Sequence, residues 1–413
     1  MRGRRVTTSG PQAPRRPSRS GASGTAGAGA TRINLGPGLT LGGDATSVVI
    51  SATTLLLVGF GLIMVLSSSS ITSYLDDRGF FGAFWNQALY AVVGLPLMFV
   101  AANLPVTFWR KWAWALFALG LALQVLVFTP LGVESYGNRN WIQIGSFSGQ
   151  PSEPLKLALI VWIGAVLYAK QPLLGQKKHV FIPVIFPGAL AALGLVLMGK
   201  DLGTVLIMGG VVIGALFFAG IDWKSLGIIV AGAALTAFLF VVTSENRMNR
   251  LFGHATGNDD YSGLGWQPLH GLWALAGGGV FGVGLGGSKA KWSWLPAADN
   301  DYIFAIIGEE LGLIGACLVI VLYAVLAVMM LRVIRNARDI FGRAVVGGVL
   351  VWVVGQALVN IAVVVGILPV LGVPLPLLSS GGTALIAVLG AMGVVLSVAR
   401  DAAAYQEELA AER

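Results

Sequence analysis

Ten apolar runs separated by polar breaks fill most of this chain from residue 48 onward, and they restrict its fold more than any other feature. They lie at Val48–Leu66, Trp85–Ala102, Trp112–Phe128, Leu155–Tyr168, Phe181–Met198, Leu202–Ala219, Leu226–Val242, Ile303–Leu331, Ala344–Ile367 and Thr383–Val398. Inside a bilayer no water pairs with exposed backbone N–H and C=O groups, so a spanning segment must be a helix or a strand of a closed barrel. No cue for a closed barrel is present, and a helix needs roughly 20 apolar residues to cross, fewer where its ends are amphipathic. The runs therefore predict an all-α polytopic membrane protein with about ten transmembrane helices. Composition agrees: 56% of the 413 residues are hydrophobic and 11% charged, far from a soluble domain. The 57 glycines suit close helix packing in lipid.

Basic residues set the orientation. With the N terminus inside, the inside loops carry Arg110 and Lys111; Lys170, Lys177 and Lys178; Lys224; and Arg332, Arg335, Arg338 and Arg343. The outside loops carry Arg78, Arg139, Lys200, Arg247, Arg250, Lys289 and Lys291. This alternation predicts an even number of spans, both termini cytoplasmic, and one large extracytoplasmic loop, about 244–300, between helices 7 and 8. Residues 1–46, rich in Arg, Gly, Ser, Pro and Ala, read as a disordered basic cytoplasmic tail with no signal-peptide core, a topology signal with lipid or partner binding as the lesser alternative. Residues 47–400 form the transmembrane domain and 401–413 a second cytoplasmic tail. The net charge of +8 then belongs to loops and tail, and no nucleic-acid partner is expected. Cys317, the one cysteine, lies in an apolar run and is expected to be inert packing.

Polar residues gather on the predicted outer face. "YGNRNWIQIGSFSGQPSEPLK" (Tyr136–Lys156), "KDLGT" (Lys200–Thr204), the long loop with its "DND" (Asp299–Asp301) and "GILPVLGVPLPLLSSGGT" (Gly366–Thr383) all fall there. Four segments far apart in sequence predict a site at the outer membrane surface. Glu153 and Lys156 are i,i+3 neighbours at a helix start and can pair; a structural and a functional role weigh equally. If a helix begins near Asp301, Glu309 lies about 12 Å deeper, where a carboxylate needs a partner, a proton, a metal or water. Glu310 points to a different side, so the two glutamates have different tasks. "GGGVFGVGLGG" (Gly277–Gly287) contains GxGxxG-like spacing, but no strand precedes it and no βαβ unit surrounds it, which excludes a dinucleotide site; flexible or tightly packed backbone is expected instead. His179 reads as a solvated residue of a basic loop. His254 and His270 match no compact zinc motif. Trp266, Trp273, Trp292 and Trp294 are expected as interfacial anchors, with sugar stacking the lesser alternative.

The segments "GNRNWIQIG…QPSEPLK", "KDLGT", "GVGLGGSKAKWSWLPAADNDYIFAIIGEELG" and "ILPVLGVPLPLLSSGGT", in this order within roughly 47–400, resemble the SEDS proteins, the shape, elongation, division and sporulation family. The likeness is strongest to division members of actinobacterial type. The resemblance implies a ten-helix bundle with a large outer loop and a cavity facing lipid. It implies a peptidoglycan glycosyltransferase that joins lipid II into glycan strands outside the bacterial cytoplasmic membrane, at the division septum. The implied partners are a class B penicillin-binding transpeptidase, other divisome membrane proteins, lipid II and membrane lipid. The family's essential aspartate falls on Asp301, with Asp299 as rival or helper, and its "EELG" glutamate on Glu309 or Glu310. Its "QPSExxK" falls on Gln150, Pro151, Ser152, Glu153 and Lys156, and its remaining motifs on Asp201, Ser379, Gly381 and Gly382. The chain departs from the family pattern at Ala297 and Asp299 (Glu and His), Tyr302 (Phe), Asn140 (Arg), Lys200 (Pro) and Ser380 (Tyr).

Glycosyl transfer from a lipid diphosphate needs a base for the acceptor hydroxyl and positive charge at the departing diphosphate. Asp301 is the candidate base; Arg139, Lys156, Lys200, Lys289 and Lys291 are the candidate diphosphate contacts. The resemblance implies inversion at the donor sugar, hence direct displacement without a covalent intermediate. Asp299, Asp301, Glu309 and Glu310 are the supporting acids and candidate ligands should a divalent cation, Mg or Mn, take part; no organic cofactor is expected. One alternative is a lipid II flippase, since buried carboxylates and broken helices suit ion-coupled transport, although the polar groups here favour one face. The others are an elongation-type member of the same family and a non-catalytic scaffold.

Overall fold

The computed structural model describes residues 45–75, 77, 79–135, 138–145, 147–174, 181–242, 248, 265–292 and 294–412. The basic tail before Ala45, most of 244–264, and the expected loop residues Arg78, Lys177, Lys178, His179, Arg247, Arg250 and His254 lie outside the described residues. Twelve α-helices are described: α1 (Ala45–Leu75), α2 (Gly82–Asn103), α3 (Val106–Leu126), α4 (Ser152–Ala169), α5 (Leu190–Met198), α6 (Leu202–Phe218), α7 (Trp223–Val242), α8 (Trp266–Gly278), α9 (Ile303–Asn336), α10 (Ile340–Leu350), α11 (Gln356–Val364) and α12 (Gly382–Ala411). A wide-turned segment, Phe181–Ala189, leads into α5, and a wide turn, Val351–Gly355, joins α10 to α11.

Eight of these stretches are long and apolar enough to cross a membrane among the described residues. They coincide with eight of the ten apolar runs. The other two runs are α6, with 17 residues, and α3, whose first turns carry Arg110 and Lys111. The helices pack as a bundle: α12 lies along α2 and α4, α10 against α4 and α6, and α1 against α9 and α2. α12 is buried from Ala387 to Ala399, whereas α7 buries only Ser225 and Leu226. Leu56, Leu89, Val92 and Phe238 face outward, the apolar exterior that lipid requires.

Several boundaries differ from the sequence expectation, each for a local reason. α1 runs past Leu66 to Leu75 because its serines do not break it: Ser69 and Ser70 donate to Val65 O (2.5 Å) and Ser67 O (3.2 Å) on their own helix. α12 continues unbroken through the expected boundary at 400 to Ala411. Three short strands, β1 (Gly132–Ser135), β2 (Asn138–Ile144) and β3 (Phe147–Gly149), form a small antiparallel sheet in the order β1-β2-β3; an all-helical reading missed it. The long connection between α7 and α9 contains α8. Cys317 is exposed on the outside of α9 rather than packed in the core.

The glycine-rich segment before "DND" closes a gap in a membrane helix. α9 is broken at Gly312 (φ 66°, ψ −163°), a conformation that essentially only glycine adopts. The break frees backbone groups on both sides, which is costly in lipid. Val283 N and Gly284 N donate to Glu309 O and Glu310 O (3.0 Å each), while Leu313 N and Ile314 N donate to Gly279 O (2.9 Å) and Val280 O (3.4 Å). The segment 279–284 thus repairs the helix it packs against, and a Cβ on Gly282 would lie 2.1 Å from Glu310 O. This is the tightly packed backbone expected of "GGGVFGVGLGG".

Candidate active site

Backbone and side-chain hydrogen bonds draw the four polar segments together. Arg139 N donates to Gly199 O (2.9 Å), and a Cβ on Gly199 would meet Arg139 O at 2.5 Å, so "NRNW" and "KDLGT" touch main chain to main chain. Asp201 then gathers donors: Asn140 Nδ2 (2.7 Å), Gln150 Nε2 (3.1 Å), Thr204 N (3.0 Å) and Thr204 Oγ1 (2.9 Å). It is the N-cap of α6 as well as the knot between these loops. Gln150 N donates to Thr383 Oγ1 (3.1 Å), which joins "QPSEP" to "SSGGT". "SSGGT" in turn holds "DND": Ser379 Oγ donates to Asn300 O (2.6 Å) and Ser380 N to Asp299 O (2.8 Å).

Asp301 sits in the turn that precedes α9, where these contacts converge. Its carbonyl accepts from Asn360 Nδ2 (2.8 Å). Its Oδ1 is shut from solvent and has no hydrogen-bond partner. Burial, then the charges of Asp299 and Asp201, push its carboxyl up from 3.8 to about 7. An acid held near neutrality can take up and release a proton under ordinary conditions.

Glu309 and Glu310 are placed differently. Glu309 accepts from Ser288 Oγ (2.5 Å), Lys289 N (2.9 Å) and Ala290 N (3.4 Å). Glu310 accepts from Ser67 Oγ (2.6 and 2.7 Å) and Ser288 N (3.4 Å) and pairs with Lys291 (3.3 Å). Both glutamates therefore fasten the loop before α9 to the broken helix, and Glu310 also fastens it to α1. Among the described residues, no three His, Cys, Asp or Glu side chains form a set that could hold a metal ion. Glu309, expected beside Asp299 and Asp301, has its oxygens taken by Ser288 and the loop backbone.

The five candidate cations divide in the same way. Lys156 is 1% exposed, pairs with Glu153 (2.8 Å), donates to Gln356 Oε1 (3.3 Å) and lies 4.8 Å from the Trp352 ring centre. Lys291 pairs with Glu310 and donates to Gly286 O (2.7 Å). An unpaired ammonium this deep would cost several kcal/mol, and each of these two has a carboxylate partner. Arg139 is exposed, with Nη2 donating to Thr129 O (2.8 Å). Lys200 and Lys289 are exposed. Glu153 Oε2 has no partner and lines a small cavity with Gln356, Pro374, Ser379, Gly381 and Ala384.

Sequence reasoning missed five residues that build this site: Ser67, Gln87, Ser288, Gln356 and Asn360. Gln87, on α2, donates to Ser379 O (3.0 Å) and accepts from Gly381 N (3.2 Å). Gln356 donates to Pro374 O and Asn360 to Val373 O (2.8 Å each). Their signal was available: amides inside apolar runs are costly unless they bond between helices. The tryptophans form a stack around a histidine: the Trp266 and His270 rings are centred 3.9 Å apart, with Trp294 about 6 Å from each.

The model of a family described as "Cell cycle protein", which groups FtsW, RodA and SpoVE, matches residues 47–404. A probable peptidoglycan glycosyltransferase FtsW of Mycobacterium tuberculosis is 38% identical over 365 residues, 88% of this chain and 70% of that protein. Stage V sporulation protein E of Bacillus subtilis is 38% identical over 354 residues, 84% of this chain and 95% of its own. Among solved structures, a chain of a peptidoglycan synthase complex, solved for its coordination of polymerization and crosslinking, is 25% identical. It matches with a TM-score of 0.71 over 86% of this chain and 97% of that one. RodA of Thermus thermophilus shares the fold at a TM-score of 0.62, 23% identical over 85% of this chain and 96% of its own.

Proposed function

The chain belongs to the FtsW, RodA and SpoVE family of cell cycle proteins, and from that membership we propose that it is a peptidoglycan glycosyltransferase of cell division, polymerising lipid II into glycan strands. The observation that carries the assignment of the site is Asp301: a carboxyl at about 7, with an unpaired oxygen, where four polar segments meet. Ionised Asp301 takes the proton of the acceptor sugar hydroxyl as that oxygen attacks the anomeric carbon of the donor. The bond from that carbon to the diphosphate oxygen breaks, and the lipid diphosphate leaves with the electron pair. Burial, and then the charges of Asp299 and Asp201, keep Asp301 basic enough to act. Exposed Lys200 and Lys289 meet the charge that builds on the diphosphate.

The finer arrangement belongs to the same proposal. α3 and α6 join the eight longer stretches as spans, giving ten, with both termini cytoplasmic and the 244–300 loop outside. The bias of Lys and Arg between loops supports this orientation. The basic tail ahead of Ala45 and the end of α12 then lie in the cytoplasm of a dividing bacterium, with the transmembrane domain at the septum. A class B penicillin-binding transpeptidase is the partner that crosslinks the strands, a reading supported by the likeness to a chain of a synthase complex.

The test is strand synthesis. The purified chain, reconstituted with lipid II and a partner transpeptidase, is expected to yield a ladder of glycan strands on a gel. A transporter would move lipid II between leaflets and leave no ladder. A scaffold would give the same result with Asp301→Asn as with the wild type.

A further inference from the structure

Asn360 enters neither the sequence motifs nor the reaction above, yet its side chain ties Asp301 to the rest of the fold. It is 1% exposed, on α11. Its single Nδ2 group donates to Asp301 O and to Val373 O, at 2.8 Å each. These two carbonyls belong to the segments on either side of the Asp301 carboxyl. Gly372 (φ 67°) lies against it, and a Cβ there would stand 3.8 Å from Asp301 Oδ2. One amide therefore sets the spacing between the backbone that carries the carboxyl and the backbone that walls it.

The rest of the neighbourhood explains why that spacing needs a dedicated bond. Asp301 precedes the α9 ladder, in which Tyr302 O is already accepting from Ala305 N (2.9 Å) and Ile306 N (3.4 Å). The 372–376 segment is a run without helix or strand, with Pro374 and Pro376 unable to donate. Four residues before Asn360 on the same helix face, Gln356 donates to Pro374 O (2.8 Å) and accepts from Lys156 (3.3 Å). The wide turn Val351–Gly355 directly precedes both amides, and such turns recur near functional sites.

We propose that Asn360 is a positioning residue for glycosyl transfer, acting through Asp301 by fixing its backbone against the 372–373 wall. The proposal rests on Asp301 being the base. A displacement of about 1 Å in a reacting group costs on the order of 100-fold in rate, so loss of this bond is expected in turnover rather than in substrate capture.

Full-length variants reconstituted with lipid II and a transpeptidase test it. Asn360→Leu keeps the size and has no donor. Asn360→Asp keeps the shape and donates one O–H when protonated. Ser397→Ala removes another buried hydroxyl, bonded to Leu104 O (2.6 Å) in the α2–α12 contact, and controls for a generic lost polar contact. For the folded fraction of Asn360→Leu, kcat is expected to fall about 10- to 100-fold, with KM for lipid II within about twofold of wild type. Asn360→Asp is expected to lose less, relative to wild type, at about pH 6 than at about pH 8. Ser397→Ala is expected to keep wild-type kcat. A lower melting temperature with wild-type kcat per folded molecule makes Asn360 merely structural and overturns the proposal. If Asn360→Leu does not fold, wild-type kcat of Asn360→Asp across the same pH range overturns it. Asp301→Asn, run in parallel, separates the premise: strand synthesis by that variant removes the base, whatever the Asn360 variants do.

Discussion

Two pairs of carboxylates flank the start of α9, and they differ in what reaches them. Glu309 and Glu310 are buried, and hydroxyls, backbone N–H groups and Lys291 supply their oxygens. Asp301 has a buried oxygen with no donor, and the charges that act on it, Asp299 and Asp201, are negative. Burial alone does not separate a structural acid from a reactive one. Supply of donors and of neighbouring positive charge does: a carboxylate given hydrogen bonds or a cation holds the fold, and one that has an unsupplied oxygen among negative neighbours is available to take a proton.

The largest effect expected from this contrast is at Asp301. Asp301→Asn should lower strand synthesis by about 10²- to 10⁴-fold, the range for removing a general base. Folding should survive, and the sign of the stability change follows from protonation. The folded value, about 7, lies above the ordinary 3.8. The stability contributed by the bound proton is therefore complete below 3.8 and lost as pH rises through about 7. Asparagine carries no charge to bury, so the variant should melt higher than wild type at about pH 8 and alike at about pH 4. Activity should run oppositely: kcat/KM of the wild type should rise tenfold per pH unit below an apparent value near 7 and level off above it. A flat acid limb with a dead Asp301→Asn would move the base to Asp299, which Asp299→Asn would then expose.

The second effect is at the supplied pair. Lys291→Met leaves Glu310 buried without its cation, and removing one partner of such a pair costs about 3–5 kcal/mol. The loss should appear in thermal unfolding, and kcat per folded molecule should change little. Full stability with abolished synthesis would make Lys291 a substrate contact and end the distinction between the two carboxylate pairs.

The apolar runs, the gathering of the polar segments and the Glu153–Lys156 pair were legible in the sequence because each depends on local spacing or on transfer from water to lipid. The fates of Glu309 and Glu310 were not. They depend on Gly312 breaking α9 and on the loop 279–291 folding back to the break, a contact that no periodicity reports. The serine run after Leu66 looked like a helix end, yet it carries Ser67 to Glu310. Gln87, Gln356 and Asn360 were visible as amides in apolar runs, but their partners are backbone carbonyls and N–H groups of distant loops. Such groups exist in every residue and leave no mark in sequence.

The smallest effect concerns the cations, where the same rule of supply applies with opposite charge. Lys156 and Lys291 have carboxylates and are buried; Lys289 and Lys200 are exposed. Lys289 is also held by its own backbone N–H to Glu309 Oε1 (2.9 Å), so its ammonium extends from a fixed point on the loop that covers the helix break. Lys289→Ala should raise KM for lipid II by about three- to tenfold, the worth of one partly solvated charge-assisted contact. Folding should be unaffected, because no buried partner is left unpaired. An exposed contact is screened by salt, so the gap between Lys289→Ala and wild type should narrow as ionic strength rises. A fall in kcat at unchanged KM would mean that Lys289 meets charge present only in the transition state. An effect that ignores salt would place its ammonium in a closed, desolvated contact and join it to the supplied, structural class.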